Sequence, residues 1–222
     1  MNPLSDLLQG LNSYKVLDAG CGDGVHAVVL KQNGGLDDFK QYYGIDISEK
    51  VIEIAKGRLT TNGVRFQTGD VTAIKFENNF FDASFSFGVI AYTGNPLLSL
   101  QELTRVTKKG GMVGIWVYPR RDGLGGFVFS TVRKLCSILG RRFTSGLAHT
   151  IVPFLGFLPT RSVASLRNAS WNQCHEVVMV NIAPQNLIFP TKREVEGWFQ
   201  KCGLQIVSED VSNSITIWGI KK

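Results

Sequence analysis

The feature that most constrains this chain is an apolar run that ends in glycines. Tyr14-Lys15-Val16-Leu17-Asp18-Ala19 leads directly into Gly20-Cys21-Gly22-Asp23-Gly24. A short apolar run closed by a Gly-rich turn reads as a buried strand feeding a helix. That helix is expected over about 24–31, carrying Val25, Val28, Val29 and Leu30, with Asn33-Gly34-Gly35 as its stop. The unit then repeats. A second strand, Gln41–Ile45, ends at Asp46. Ser48 stands as the N-cap of a helix with Val51, Ile52, Ile54, Ala55 and Leu59 on its apolar face. Val64–Gln67 and Asp82–Phe87 are the third and fourth strands. Pro96–Val106 is a helix with Leu97, Leu98, Leu100, Leu103 and Val106 inward. Lys109-Gly110-Gly111 breaks it ahead of a fifth strand, Met112–Tyr118.

Strand–helix alternation with short connections implies an α/β fold: a mostly parallel sheet with helices on both faces. The alternation stops at residue 120 and resumes near 184. Thr191-Lys192-Arg193-Glu194 is a capping-box pattern opening a helix to Cys202, and Leu204–Ser208 and Ile215–Ile220 complete seven strands. The expected organisation is a core of residues 1–119 and 184–222, with 120–183 inserted after the fifth strand as a mainly helical cap.

Composition closes off other classes. The chain has 222 residues, 44% hydrophobic and 19% charged, which suits one folded domain with an insertion and excludes disorder. Cysteines 21, 136, 174 and 202 form no C-x-x-C, so neither a structural metal site nor a disulfide framework is expected. No secretory signal is visible, and Ile151–Leu158, which contains Pro153 and Gly156, is too short to span a bilayer. A cytoplasmic chain with reduced thiols is the expectation. The net charge of +6 has one source. Residues 120–183 hold eight basic and two acidic residues, 8 − 2 = +6, so the rest of the chain is neutral.

Ligands of open α/β sheets sit at the carboxyl ends of the strands. Here those ends carry Asp18, Gly20, Gly22 and Gly24, then Asp46, then Gly69-Asp70. Alternate glycines let a ligand approach the backbone, and an acid ending the second strand can accept both hydroxyls of a ribose. The dinucleotide pattern G-x-G-x-x-G fails, because residue 25 is Val. Asp18 and Asp23 would also repel a pyrophosphate. Carboxylates suit S-adenosylmethionine, which has an ammonium and a sulfonium and no phosphate.

The successive segments VLDAGCGDG, GIDIS, TGDV, FDASFSFGVIAYTGN and ELTRVTKKGGMVGIWVYPR resemble, in order, the motifs of class I S-adenosylmethionine-dependent methyltransferases. They are closest to the methyltransferase type 11-like, small-molecule group. The resemblance covers about residues 14–120 and returns in FPTKREVEGWFQKCGL. It implies a Rossmann-like seven-stranded sheet, S-adenosyl-L-methionine as cofactor, and methyl transfer. It places Asp18, Gly20, Cys21, Gly22 and Gly24 at the methionine end, Asp46 on the ribose, and Ile47 on the adenine. Asp70 would meet the adenine amino group and Val71 supply a backbone contact. Phe87 would lie beside the sulfonium and the acceptor.

Relatives commonly read G-V-L-H-H after the fourth strand; this chain reads Gly88-Val89-Ile90-Ala91-Tyr92. A base is required only where the acceptor is protonated. The candidate catalytic residues are Tyr92, which could orient an acceptor, and His149 and His175 as bases, with Tyr118 a similar candidate; His26 reads as a loop-packing residue. The insertion has three open readings: a solvated basic cap, a pocket for an apolar or anionic small molecule, or a patch for an anionic membrane surface. Nucleic acid is not expected, since no aromatic platform is interleaved with the basic residues. The expected activity is methylation of a small molecule at oxygen or nitrogen. The alternatives are a non-catalytic S-adenosylmethionine-binding protein and a methyltransferase acting on a lipid at a membrane surface. The sequence leaves the oligomeric state open.

Overall fold

Most strands are apolar runs flanked by turn residues, the two at the sheet edges, Val64–Thr68 and Leu204–Asp210, mixing polar and apolar residues; each becomes a rung of one sheet. The computed structural model describes residues 14–32, 39–120, 186–212 and 214–222, with 123, 130, 131, 133–136, 138–140, 144–146 and 172. The elements are β1 (Tyr14–Ala19), α1 (Val25–Gln32), β2 (Phe39–Asp46), α2 (Glu49–Arg58), β3 (Val64–Thr68) and β4 (Phe81–Phe87). A 3₁₀ turn (Ile90–Tyr92) precedes α3 (Pro96–Val106) and β5 (Thr107–Val117). After residue 187 come α4 (Lys192–Lys201), β6 (Leu204–Asp210) and β7 (Ile215–Lys221).

The sheet order is β3-β2-β1-β4-β5-β7-β6. The pairs among β1 to β5 are parallel; β7 runs antiparallel between β5 and β6. This is the expected seven-stranded, mostly parallel sheet. Chain order reverses where β1 lies between β2 and β4, the switch point at which such sheets open a crevice. Ala27, Leu30, Ile52 and Ala55 from α1 and α2 join Val16, Tyr42, Phe66, Phe85 and Trp218 in one core cluster. Gly219, the next residue on β7, points the other way, onto Phe199 of α4. Helices therefore cover both faces.

Three helix starts fall where the sequence puts them, and two of them carry side-chain caps. Thr191 Oγ1 accepts from Glu194 N–H (3.3 Å) and Glu194 Oε2 accepts from Thr191 N–H (2.7 Å), the reciprocal box. Asn95 Oδ1 accepts from Leu98 N–H, with Pro96 opening α3. Ser48 stands at the start of α2 but its side chain makes no cap bond; Asp46 Oδ1 accepts from Ser48 N–H instead.

Two further expectations change. Val25, Val29, Ile54 and Leu98 are exposed, because each helix buries a narrower row than its apolar content suggests. Lys109-Gly110-Gly111 does not separate helix from strand. Thr107 already pairs with Phe81, and the register then jumps so that Met112 faces Ala83. The glycines form the bulge in between: a Cβ on Gly111 would lie 2.6 Å from the Asp82 carbonyl oxygen.

The chain divides into two compact units, Met1–Pro119 with Ile188–Lys222, and Arg120–Leu187. In the second, residues 130, 131, 133–136, 138–140 and 144–146 are helical. Cys136 and Thr144 are buried, whereas Leu135, Ile138 and Leu139 are exposed. Arg133 donates to the Leu187 carbonyl (2.7 Å). Much of the helix expected around Phe127–Leu139, and most of 141–185, lies outside the described residues. Cys21, Cys136 and Cys202 carry free thiols.

Candidate functional site

Asp18, near the end of β1, is fully buried. Its Oδ2 accepts the Tyr42 hydroxyl (2.6 Å) and lies 3.3 Å from His26 Nδ1. Its Oδ1 is buried without a hydrogen-bond partner among the described residues. A buried carboxylate oxygen without a donor is costly, so this position calls for one. Burial, reinforced by the Asp18 charge, pushes the Tyr42 phenol well up, which keeps it a proton donor. His26 is raised above the ordinary histidine value by its hydrogen bond to Asp18, which outweighs its burial. The His26 ring meets Phe87 and Phe85 edge-on, centroids 5.7 and 6.2 Å apart.

The loop after β1 is tied to the end of β2. Gly20 and Cys21 both donate to the Ile45 carbonyl (2.7 and 2.9 Å), and Gly22 donates to Asp46 Oδ2 (3.1 Å). The three glycines, all with positive φ, do different things. Gly20 lies under Val89, and Gly24 packs against Ala55 and Phe66, where a Cβ would sit 3.1 Å from each. Gly22 alone of the three faces open space, with nothing among the described residues within 4 Å of a Cβ. Cys21 is buried with its thiol pushed far up, first by desolvation. Its sulfur lies beside Gly44 of β2, so it shapes the loop through packing and backbone. Asp23 is ion-paired with Arg58 (2.6 Å), so its charge is answered from α2. The electrostatic case for a cationic ligand therefore rests on Asp18.

Along the neighbouring strand ends, Asp46 is half-buried and Ile47 is 73% exposed, an apolar side chain held beside the site. Gly69 donates to the Asp46 carbonyl, which locks the end of β3 to that of β2. Asp70 is exposed, and its Oδ1 accepts from the Thr72 amide and hydroxyl; Val71 is buried. Phe87 closes β4 against His26 and Trp218. Tyr92 sits in the 3₁₀ turn that follows, its amide on the Val89 carbonyl. Tyr118, exposed, stacks edge-on to Trp116. His149 and His175 lie outside the described residues. The Asp18–Tyr42–His26 cluster is the part that sequence reasoning missed. Its one hint was a tyrosine in an otherwise buried strand.

Residues 17–115 match the family model described as a methyltransferase domain. This stretch, a little under half of the chain, is similar to methyltransferase domains. The demethylmenaquinone methyltransferase of Staphylococcus aureus (strain MRSA252) is 35% identical over 101 residues, 45% of this chain and 41% of that protein. The chain thus spans about two fifths of the length of the curated relatives it matches. Among solved structures, the YcgJ protein of Bacillus subtilis superposes with TM-score 0.64 at 14% identity, over 99% of this chain and 97% of that one. The magnesium protoporphyrin IX methyltransferase of Synechocystis PCC 6803, solved with bound SAH, gives TM-score 0.61 at 16% identity, over 100% and 81%. At such identities these likenesses speak for the fold.

The cofactor of a class I methyltransferase domain is S-adenosylmethionine, and the residues present fit it. The unsatisfied Asp18 Oδ1 awaits a donor such as an ammonium. Gly22 leaves room at the backbone, Asp46 retains lone pairs for hydroxyls, and Ile47 offers an exposed apolar surface.

Proposed function

We propose that this chain transfers the methyl group of S-adenosylmethionine to an oxygen or nitrogen of a small-molecule acceptor. The observation that carries the reading is the buried, half-satisfied Asp18 carboxylate at the strand switch point, beside the open backbone of Gly22. In this reading Asp18 receives the ammonium, Asp46 the ribose hydroxyls, Ile47 and Asp70 the adenine, and Phe87 borders the reacting end.

The cofactor, when bound, supplies a methyl carbon already activated by its sulfonium. The chain's own work is to hold the acceptor in line and keep water out, and such orientation lowers a barrier by roughly 7–11 kcal/mol. An acceptor that is already a nucleophile needs no base; one that is protonated would draw on Tyr92, His149 or His175. The insertion, 120–183, is the proposed cap over the acceptor, and the compartment is proposed to be the cytoplasm.

A second reading is favoured by one observation. Leu135, Ile138 and Leu139 form an exposed apolar stripe in the segment that carries the whole +6 excess. Apolar plus basic surface suits an anionic membrane, and the acceptor would then be a lipid. No helix among the described residues is long and apolar enough to cross a bilayer. The matched Staphylococcus aureus relative is named for a menaquinone precursor, which agrees with an apolar acceptor.

The test is incubation of the protein with methyl-labelled cofactor and a cell extract split into aqueous and lipid fractions. A labelled metabolite in the aqueous fraction supports the first reading and one in the lipid fraction the second. Cofactor binding with no labelled product from any extract favours the non-catalytic alternative.

A further inference from the structure

We propose that His26 is a positioning residue whose proton leaves for solvent when the ammonium of the cofactor reaches Asp18. The inference rests on the S-adenosylmethionine reading above. Asp18 carries one negative charge in a fully buried place, and its two oxygens have different fates. Oδ2 is shared by Tyr42 and His26; Oδ1 has no partner among the described residues.

The groups facing His26 are few. Among the described residues they are Asp18 at 3.3 Å, the rings of Phe85 and Phe87, and the more remote charge of Asp23. Asp23 is engaged by Arg58. Asp18 is therefore the anion that sustains an imidazolium on His26, and its hydrogen bond is the leading cause of that residue's raised basicity.

A cationic ligand end arriving at Oδ1 changes the balance. Two cations then share one buried carboxylate. An α-amino group titrates at about 7.7–8.0 and an ordinary imidazole at about 6.5, so below the ammonium's own value the ligand keeps its charge and the histidine is the group that yields its proton. The imidazolium releases Nε2–H to water, which its side chain reaches at 37% exposure, and keeps Nδ1–H toward Asp18 Oδ2. The neutral ring still fixes the carboxylate so that Oδ1 stays turned to the ligand. No bond other than N–H breaks, and the proton goes to the buffer.

The sign follows from linkage. The free protein holds the proton up to a higher pH than the complex, so cofactor affinity rises with pH across that window. The slope reaches at most about tenfold per pH unit; affinity levels off above the free-protein value of His26 and falls again where the ligand's own ammonium deprotonates. The ammonium is common to S-adenosylmethionine and S-adenosylhomocysteine and absent from 5′-methylthioadenosine, so the effect belongs to the first two and not the third.

The experiment is calorimetry of the full chain with these three ligands, in buffers of different ionisation enthalpy, over about pH 5.5 to 8.5. The expected result is proton release with the two amino-acid-bearing ligands and none with 5′-methylthioadenosine. His26→Gln, which keeps a neutral donor toward Asp18, should bind with no proton release and a flat pH profile. Nuclear magnetic resonance of the His26 ring in the parent protein gives a readout that does not depend on the variant folding. Its titration should move down by about one pH unit or more when S-adenosylhomocysteine is bound. Tight binding without proton release, equal release with 5′-methylthioadenosine, or an unmoved His26 titration overturns the proposal and leaves the cofactor reading intact. Absence of binding by all three ligands overturns the cofactor reading, and this inference with it.

Discussion

Val89 occupies the space that a side chain on Gly20 would need. A Cβ there would stand 2.6 Å from Val89 Cγ1, and Gly20 has φ +88°. The turn after β4 thus rests directly on the turn after β1. Gly20→Ala should lower stability by roughly 1–3 kcal/mol, part from the contact and part from the backbone. Urea unfolding measures it. Val89→Gly in the same background should recover only the contact part; an unchanged midpoint in Gly20→Ala would mean that the two turns do not meet.

Gly22→Val tests the neighbouring position, where the outcome has a different cause. Among the described residues the space beyond Gly22 is open, so the fold should survive, destabilised by roughly 1–3 kcal/mol because a β-branched side chain at φ +54° is strained whatever the room. Equilibrium dialysis should show cofactor binding weakened by more than about tenfold, since the branched side chain fills the room left for the ligand. Parental affinity in the variant would make this loop a turn and nothing else.

Asp46→Ala removes an acceptor from the proposed ribose site and also from Gly22 and Ser48. Hydrogen bonds to a charged group contribute about 1.5–3 kcal/mol, so affinity should fall roughly tenfold to a hundredfold. Asp46→Asn keeps one acceptor and should fall between. Calorimetry that finds all three proteins equal would remove Asp46 from the site.

Acid stability should depend on Glu102. It takes two bonds from Arg105 (2.7 and 2.8 Å) and one from the Ile74 amide, while Arg105 also holds the Ile74 and Phe76 carbonyls. The Arg105 bond holds the Glu102 carboxyl below its ordinary value. The stabilisation is thus present above the unfolded value and lost as pH falls through the lower folded one. In urea titrations at several pH values, Glu102→Gln should differ most from the parent near neutrality. The two curves should converge below about pH 4.

Strands were legible because an apolar run between turn residues has few other fates, and β1 and α3 match their readings end to end. Helix faces were less so: Val25 and Ile54 fit a helical stripe by spacing yet lie beyond the row that the sheet can cover. The strand-end residues Asp18, Asp46 and Asp70 could be placed because topology alone brings them together. What each glycine does could not. Gly20, Gly22 and Gly24 look equivalent in the sequence, and only packing against Val89, open space, or Ala55 and Phe66 tells them apart. Likewise, no local pattern links His26 to Tyr42 through Asp18, because the link runs across two strands.

The antiparallel insertion of β7 between β5 and β6 bears on how the molecule is made. Val117 is partnered by Ile215, so during synthesis β5 emerges long before the strand that will cover it. The five parallel strands can assemble while the ribosome is still translating the unit that follows. Their outer edge stays unpaired throughout that interval, a template for wrong partners until the last strand arrives. The final strand also delivers Trp218 to the face of Gly114 and to the ring of Phe87, so the aromatic wall beside the β4 end is finished last. A nascent chain would thus complete the switch-point crevice early, and close the sheet beside it only after the whole of Arg120–Leu187 had been translated.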